Sequence, residues 1–434
     1  MLNFLFTQTP LIFFVQSFWR DEAFSYLLAK QSWLNILILT AKDFNPPLYY
    51  LLLHIWIKIF GPSEIAIRCL SVVFFMICLY WLQLFMDKIL KIKSKWIWLY
   101  FALFALNPLL NYYAFEARMY MMFAALALIS FYFLIRGEYK QYVAATVLGL
   151  YTHYFMLLVL VVQGVFILLA SNHKKTKIVA FKNITLVFVF FVPWLIFLVT
   201  QHVFSGLQTW ITDRGLNQLH LIPGILYTGY ESKLGFFNNL LLPLSLFLYL
   251  LLALGWKFLK PKKNNNLLSL LLLWTFFPVV LTIIVSLYTP LFLARYLIFS
   301  TLGLLLLVVY LMEKMNSKLK VTFFIILLLF TLTYNQLQVH YRKKAPLKDV
   351  ILQIKEEATV KDLLYVTDVL DFQTAQYYFG EDKVFIYGKS YDMIPAFVGK
   401  VLISKDKFIS TLPAYPRRAF VLKDDQSYNI ESSF

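Results

Sequence analysis

The stretch Ser17-Phe-Trp-Arg-Asp-Glu-Ala-Phe-Ser25 places two adjacent carboxylates, Asp21 and Glu22, where the first apolar segment of the chain ends. A third acid, Asp43, begins the motif Asp43-Phe-Asn-Pro-Pro-Leu48. An apolar helix that brings acids to a membrane surface carries a desolvation cost of several kcal/mol per charge unless each acid finds a partner or water. Because of that cost, acids in this position are typical of functional sites.

The composition predicts a polytopic membrane protein. The chain has 434 residues, of which 60% are hydrophobic and only 15% are charged. Its mean hydropathy is +0.69, whereas soluble domains are about 45–50% apolar and about 25% charged. The aromatic content of 19% suits lipid-facing surfaces and interfacial belts, and it would also suit a stacking surface for a sugar or an isoprenoid.

The basic residues follow a membrane pattern rather than a nucleic-acid pattern. The net charge is +17, but Lys and Arg occur in short clusters between apolar runs, as the positive-inside rule describes. We therefore expect membrane lipid as a partner and no nucleic acid. The two cysteines, Cys69 and Cys78, lie on one apolar segment and form neither a disulfide framework nor a metal-ligand pattern.

Apolar runs long enough to cross a membrane cover most of residues 1–340. The first, residues 2–17, is short at about 16 residues where roughly 20 are needed, and Pro10 interrupts it. It lacks the basic start and the cleavage site of a signal peptide, so we interpret it as a retained span, with room for a start further upstream. Residues 141–171 suit two short helices broken at Thr152-His153-Tyr154. The other predicted spans, which bring the total to about eleven, are residues 66–86, 96–110, 112–135, 181–200, 236–259, 266–288, 294–312 and 321–338.

Basic clusters between the spans predict the orientation. An even number of spans separates each neighbouring pair of clusters, so all of them can lie in the cytoplasm together with the N-terminus. These clusters are Lys88/Lys91/Lys93/Lys95, Arg136/Lys140, Lys174/Lys175/Lys177/Lys182, Lys257/Lys260/Lys262/Lys263 and Lys314/Lys318/Lys320. The outer face of the cell membrane then receives Asn107–Arg118, the break at Thr152-His153-Tyr154, the loop at about 201–235 and Tyr288–Arg295.

The segment Pro46–Phe60 allows two interpretations. As a span of its own, it would place the acidic loop on the side of the Lys88 cluster. As an interfacial helix lying along the membrane, it leaves Asp21, Glu22, Asp43 and Arg68 together on the outer face. We prefer the interfacial helix, because it also keeps the N-terminus inside.

The last 90 or so residues change character. Leu347–Ala358 predicts an amphipathic helix, and Leu363–Thr367 and Val384–Tyr387 predict strands separated by polar turns. The chain thus divides into a membrane domain, residues 1–340, and a small extracytoplasmic α/β domain, residues 345–434. The expected fold class is an all-α polytopic membrane protein that carries this α/β domain at its C-terminus.

The ionisable residues at predicted outer helix ends suggest chemistry. Acids facing arginines suit a reaction between a hydroxyl, which needs a general base, and an anionic leaving group, which needs cations. A carboxylate at Asp21 could take the hydroxyl proton. Glu22 or Asp43 could orient the Asp21 carboxylate, raise the pKa of Asp21 or hold a divalent metal. The full set of candidates is Asp21, Glu22, Asp43, Arg68, Glu116, Arg118, His153, Arg295 and Tyr296.

Each candidate also has a structural interpretation. Asp21 and Glu22 could form a solvated helix end with local ion pairs, and Asp43 could precede a plain helix N-terminus with Asn45 as the cap. Glu116 and Arg118 lie two residues apart near the start of a long span, where Arg118 could bind a phosphate or anchor the helix at the interface. The same alternatives, phosphate or anchor, hold for Arg295 before Tyr296. Arg68 could pair with a loop acid, and His153 could be a satisfied structural residue.

The chain has only 14 glycines and no nucleotide-binding glycine-rich loop, which favours a donor already in the membrane, such as a lipid-phosphate sugar.

Six short motifs, in order along the membrane region, resemble those of the GT-C class of polyprenyl- or dolichyl-phosphate-sugar-dependent glycosyltransferases, which includes protein O-mannosyltransferases and aminoarabinose transferases. They are Trp19-Arg-Asp-Glu-Ala-Phe-Ser25, Asp43-Phe-Asn-Pro-Pro-Leu48, Phe60-Gly-Pro-Ser-Glu-Ile-Ala-Ile-Arg68, Glu116-Ala-Arg-Met-Tyr120, Tyr151-Thr-His-Tyr154 and Ala294-Arg-Tyr-Leu297. The resemblance implies that Asp21 is the catalytic acid of the first external loop, with Glu22 beside it and Asp43 as the second loop acid. It also implies an interfacial helix in that loop. Asn45 departs from the family pattern, which usually has His there.

The sequence and the resemblance together predict an inverting glycosyltransferase at the outer face of the membrane. Its donor would be a polyprenyl-phosphate sugar, and its acceptor a hydroxyl on a lipid, a cell-envelope glycan or a protein. Arg118 and Arg295, with Arg68, would bind the phosphate. Two alternatives remain at this point: a transporter or flippase for a lipid-linked saccharide, and a polymerase or ligase of such saccharides.

Overall fold

The computed structural model describes residues 2–43, 45–93, 95–170, 174–201, 211, 214–230, 235–259 and 266–434. Parts of the predicted outer loop at about 201–235, together with Lys260, Lys262 and Lys263 of a basic cluster, lie outside these residues. The chain forms two compact units. The helical unit comprises Met1–Phe13, Arg68–Ile196 and Ile211–Arg342, and the acid-bearing unit comprises Phe14–Ile67, Phe197–Trp210 and Lys343–Phe434.

The helical unit consists of long apolar helices interrupted by short ones. The long helices are Glu64–Leu84, which the unit boundary divides, Tyr120–Arg136, Met156–Ala170, Lys174–Thr200, Gly235–Lys257, Asn266–Ser286, Ile298–Met312 and Ser317–Tyr341. The shorter ones are Leu2–Gln8, Ile12–Val15, Trp96–Ala105, Pro108–Ala114, Tyr139–Leu150 and Ile222–Thr228. A π-helical turn covers Phe85–Ile89, and 3-10 turns cover Leu216–Leu221 and Ala294–Leu297.

The predicted membrane character is confirmed. Within the described part of the chain, 6 helices are long and apolar enough to cross a membrane, and shorter apolar helices accompany them. The segment Ala294–Met312 is the most enclosed, with 94% of its apolar window buried. It packs against Tyr120–Arg136, Gly235–Lys257 and Asn266–Ser286. A helix that is apolar on every side belongs inside a bundle, and this helix forms the core of the helical unit.

Helix boundaries confirm some span predictions and correct others. The break at Thr152-His153-Tyr154 is confirmed, since one helix ends at Leu150 and the next begins at Met156. The predicted span 96–110 is wrong in its second half, because the helix ends at Ala105 and a new one begins at Pro108. Asn107 causes this break: its Oδ1 caps the Leu110 N–H at 3.1 Å, and a proline fits the first turn that follows.

The acid-bearing unit combines segments from both ends of the sequence. Its N-terminal part contains the helices Arg20–Ala29, Trp33–Ala41 and Leu48–Phe60. Leu48–Phe60 confirms the helix predicted for Pro46–Phe60, whereas Arg20–Ala29 corrects the prediction that Asp21 and Glu22 end the first helix. They lie in the first turn of a new helix, where carboxylates interact favourably with the helix dipole.

The C-terminal part of this unit is a five-stranded α/β fold. Its strands are β1 Leu363–Val366, β2 Val384–Tyr387, β3 Phe408–Ile409, β4 Ala419–Leu422 and β5 Tyr428–Glu431, in the order β3-β2-β1-β4-β5. Only β5 is antiparallel to its neighbour. Helices Leu347–Glu357 and Val369–Phe379 accompany the sheet. All residues of β1 and β4 are buried, as expected for central strands of a sheet covered on both faces. Short 3-10 turns complete it at Glu381–Lys383, Tyr391–Met393, Ala396–Val398, Lys400–Leu402 and Lys405–Lys407.

An ion pair between Asp362 and Arg418 joins the residues that precede the central strands β1 and β4. The Asp362 carboxylate accepts hydrogen bonds from Arg418 Nη2 at 2.7 Å, from the Arg418 backbone N–H at 3.0 Å and from the Thr359 backbone N–H at 2.8 Å. Burial opposes ionisation of Asp362, but these hydrogen bonds outweigh it and hold the pKa of Asp362 below its ordinary value. A carboxylate with a lowered pKa stabilises the fold above the pKa it has in the unfolded chain, about 3.9, and loses that contribution as the pH falls.

We expect Asp362→Asn to lower the melting temperature of the full chain in detergent by several degrees at pH 7. The loss should shrink as the pH falls below about 4, because the carboxylate of the unfolded wild-type chain then takes up a proton while the folded form, with its lowered pKa, stays ionised. Thermal melts recorded across this pH range test the prediction, with Asp382→Asn, an exposed acid of the same domain, as the control. An equal loss of stability at every pH would contradict the assigned role.

Candidate functional site

The segment that carries Glu116 and Arg118 is held by the start of a long helix. Ser71 donates a hydrogen bond to the Glu116 carbonyl at 2.6 Å and approaches the Arg118 carbonyl at 3.3 Å. Ser71 lies one turn after Arg68, so this turn of the helix lies against the segment. Glu116 and Arg118 precede the helix that begins at Tyr120 rather than belonging to it, which corrects the prediction that a span begins before them. Arg68, Glu116 and Arg118 are all buried.

His153 lies at the centre of an aromatic cluster in the helical unit. Its ring stacks on Phe123 with centroids 4.8 Å apart and lies 5.3 Å from the ring of Tyr296. Tyr120 lies 6.0 Å from His153 and 6.4 Å from Tyr296. Phe155 closes the cluster at 5.0 Å from Tyr296. The helix break at 152–154 therefore turns the His153 ring toward residues of the helix Tyr120–Arg136 and of the 3-10 turn Ala294–Leu297.

Two arginines flank this aromatic cluster. The Arg118 guanidinium lies over the ring of Tyr120, 5.9 Å from its centroid, and that of Arg295 lies over Tyr296 at 5.8 Å. Both are close enough to His153 for their charges to act on it. Each arginine is less than a tenth exposed. The structure thus brings together four predicted candidates, Arg118, His153, Arg295 and Tyr296, in an arrangement of two buried cations beside aromatic rings that suits an anion attached to an apolar or sugar group.

The acids occupy the acid-bearing unit. Asp21 follows Trp19 and Arg20 in the first turn of its helix, and the Arg20 Nε lies 3.0 Å from Asp21 Oδ1. Both side chains keep about a fifth of their surface exposed, at 19% and 18%. Asp43 is buried, and Asn45 donates a hydrogen bond to its Oδ2 at 3.3 Å. Asn45, the departure from the family pattern, therefore contacts the predicted second loop acid.

Glu22 has a partner that sequence reasoning missed. Lys344 Nζ lies 2.7 Å from Glu22 Oε2, and the two side chains are only 7% and 0% exposed. The Lys344 ammonium also lies over the Trp19 ring, 5.5 Å from its centroid. A signal was present: Arg342-Lys343-Lys344 is a basic run on the predicted outer side, against the positive-inside rule.

The acids do not form a recognisable metal-binding group. Among the described residues, no set of three or more His, Cys, Asp or Glu side chains is arranged to hold a metal ion. The Glu22 carboxylate, one of the three oxygen-bearing candidates, is engaged by a lysine instead. In this arrangement Asp21, Glu22 and Asp43 do not form a set of three carboxylates around one metal site.

Two solved structures are similar to this chain in fold. The crystal structure of ArnT from Cupriavidus metallidurans in the apo state has 13% sequence identity and a TM-score of 0.52, covering 95% of this chain and 90% of that chain. The crystal structure of ArnT from the same organism bound to undecaprenyl phosphate has 12% identity and a TM-score of 0.62, covering 97% and 93%. This chain has a GT-C-type fold. The fold implied by the six motifs is confirmed, although no family model and no curated protein matches the sequence.

We expect the arginine pair to bind an amphiphilic phosphate. Arg118→Met and Arg295→Met should each weaken binding of dodecyl phosphate to the purified protein by about tenfold or more, because each removes a charge-assisted contact. Arg136→Met, which removes an exposed arginine paired with Glu138 at the far end of the helix that begins at Tyr120, is the matched control. Equal affinities of all four proteins, measured by calorimetric titration, would refute the assignment.

Proposed function

We propose that this protein is an integral glycosyltransferase of the cell membrane that moves one sugar from a polyprenyl-phosphate donor to a hydroxyl on a lipid, a cell-envelope glycan or a protein. The reaction would take place at the outer face, with inversion at the anomeric carbon. The observation that carries the proposal is the buried pair Arg118 and Arg295 beside aromatic rings, in a chain whose fold is shared by a protein bound to undecaprenyl phosphate.

The proposed reaction is a single displacement. The acceptor hydroxyl oxygen forms a bond to the anomeric carbon of the donor sugar, and the bond from that carbon to the phosphate oxygen breaks. The hydroxyl proton passes to Asp21, and polyprenyl phosphate leaves with the bonding electrons. A carboxylate base and cations that bind the departing anion are the two aids that this reaction needs.

Asp21 supports the role of base better than its neighbours do. It keeps about a fifth of its surface exposed and lies in the first turn of a helix, whereas the Glu22 carboxylate is fully buried against Lys344. Arg118 and Arg295 would bind the phosphate of the donor and stabilise the charge that develops on it. Tyr296 and His153 would lie beside the bound phosphate, and Arg68 would help to bind it. Asp43 would support Asp21, and Glu116 stays a further candidate.

The test uses purified protein in liposomes with a labelled polyprenyl-phosphate sugar and a mixture of membrane lipids as acceptors. We expect the wild type to transfer label and Asp21→Asn to lower the rate by at least about a hundredfold, since a general base contributes roughly 10²–10⁴ in rate. Donor binding by the variant should remain within about threefold of wild type, because the arginines are intact.

Asp87→Asn is the matched control, since Asp87 lies in the π-helical turn Phe85–Ile89 and pairs with Lys88 near the surface. Full activity of Asp21→Asn would refute the assignment of the base. Movement of an intact lipid-linked saccharide across the bilayer, without any transfer of label, would instead support the transporter alternative.

A further inference from the structure

The linker that follows the last helix of the helical unit runs along the segment that precedes the acid pair. The Lys344 backbone N–H donates to Gln16 Oε1 at 3.0 Å, and the Lys348 backbone N–H donates to Ser17 Oγ at 3.2 Å. These contacts join residues that are more than 300 positions apart in the sequence. The linker therefore has a fixed place beside Trp19 and Asp21 within the acid-bearing unit.

Two lysines of the linker make two different ion pairs. Lys344 binds Glu22 at 2.7 Å, and Lys348 binds Glu64 Oε2 at 2.5 Å. The first pair is enclosed, with side chains 7% and 0% exposed, whereas the second keeps 32% and 13% exposed. Glu64 has further support, because the Tyr378 hydroxyl also donates to it. The ion pair of Lys348 with Glu64 thus holds the linker in place. The ion pair of Lys344 with Glu22 involves the residue next to Asp21.

Lys344 also contacts one residue before Asp21 and one residue after it. Its ammonium lies over the ring of Trp19, the residue that precedes the helix, and it binds the carboxylate of Glu22, the residue after Asp21. A buried carboxylate that loses its cation must take up a proton or move toward water. Either change would shift the first helical turn, and Asp21 with it.

The energetics favour a role in positioning over a role in stability. A buried ion pair is often no more stable than apolar side chains of the same volume, since both charges lose their hydration. Such a pair does fix one geometry, because only one arrangement satisfies both charges. Here the geometry that it fixes is that of the turn carrying the proposed base.

We propose that Lys344 is a positioning residue that acts through Glu22 to hold Asp21 in its reactive place. The linker to the C-terminal domain thereby completes the acidic part of the site. This inference rests on the proposed glycosyl transfer. Lys344 does not itself react; its ammonium, 2.7 Å from Glu22 Oε2, holds the Glu22 carboxylate and with it the first helical turn in place.

The experiment measures kcat and the donor KM of full-length variants in the liposome transfer assay. Lys344→Met should lower kcat about tenfold or more and change the donor KM less than about threefold, and Lys344→Arg should restore most of the loss. Glu22→Gln should lower kcat as well, and the double variant Glu22→Gln/Lys344→Met should be no slower than Glu22→Gln alone. That lack of additivity is what a residue acting through Glu22 requires.

Two controls separate positioning from general damage. Lys343→Met removes an exposed neighbouring lysine and should leave kcat within about twofold of wild type. Lys348→Met removes the other linker pair and should lower the melting temperature while keeping kcat within about threefold. If Lys344→Met does not fold, the double variant replaces it, because it leaves no unpaired charge in the interior.

A wild-type kcat for Lys344→Met would overturn the inference, and so would an equal loss for Lys348→Met or a multiplicative loss in the double variant. Each of these outcomes needs an active wild-type protein. An inactive wild type, with every donor tested, would instead refute the proposed function itself, so the two failures can be told apart.

Discussion

The acid-bearing unit depends on the ion pair between Glu22 and Lys344. Both side chains are buried, and each charge would be costly to bury without the other. The pair can form only if the linker at residues 343–348 lies against residues 16–22, so it ties the C-terminal α/β fold to the segment that carries Asp21 and Glu22. In this unit the C-terminal residues form the structural support of the acids. The Phe18 N–H donates a hydrogen bond to the Tyr378 hydroxyl, and the Tyr377 hydroxyl donates one to the Pro62 carbonyl.

A different constraint orders the helical unit. Helix ends inside an apolar environment leave backbone carbonyls that need donors, and polar side chains provide them here. Asn107 donates to the Tyr227 carbonyl at 2.9 Å, Asn335 donates to the Leu106 carbonyl at 2.7 Å, and Thr301 donates to the Leu226 carbonyl at 2.6 Å. These bonds join the broken helix at 106–107 to the short helix Ile222–Thr228 and to two long helices. This network satisfies the ends of the short helices in the interior of the helical unit.

Local patterns in the sequence predicted much of the fold. Apolar length predicted the membrane helices, the polar break at 152–154 was placed correctly, and short apolar runs between polar turns predicted β1 and β2. The helix Val369–Phe379 and the strands β3–β5 were not predicted. Each of these strands has four residues or fewer, which is too short for a periodic pattern to be recognised. The break at Asn107 was missed too, since a cap followed by proline inside an apolar run resembles a continuous span.

The candidate site shows the same division. Four of the candidates selected from the sequence, Arg118, His153, Arg295 and Tyr296, lie close together in the structure, and their roles stay predictions. Lys344 could not be paired with Glu22 from the sequence, since the partners are 322 positions apart and no spacing rule covers that distance. Only the violation of the positive-inside rule marked the lysine as unusual.

The central claim is that a carboxylate base assists a single displacement on a lipid-phosphate sugar. The most direct measurement is the anomeric configuration of the transferred sugar, determined by NMR on product made from a donor of known configuration. We expect inversion, because Asp21 takes the proton of the acceptor and never bonds to the sugar. Retention of configuration would contradict it, since retention requires a covalent sugar–enzyme intermediate or an equivalent second displacement.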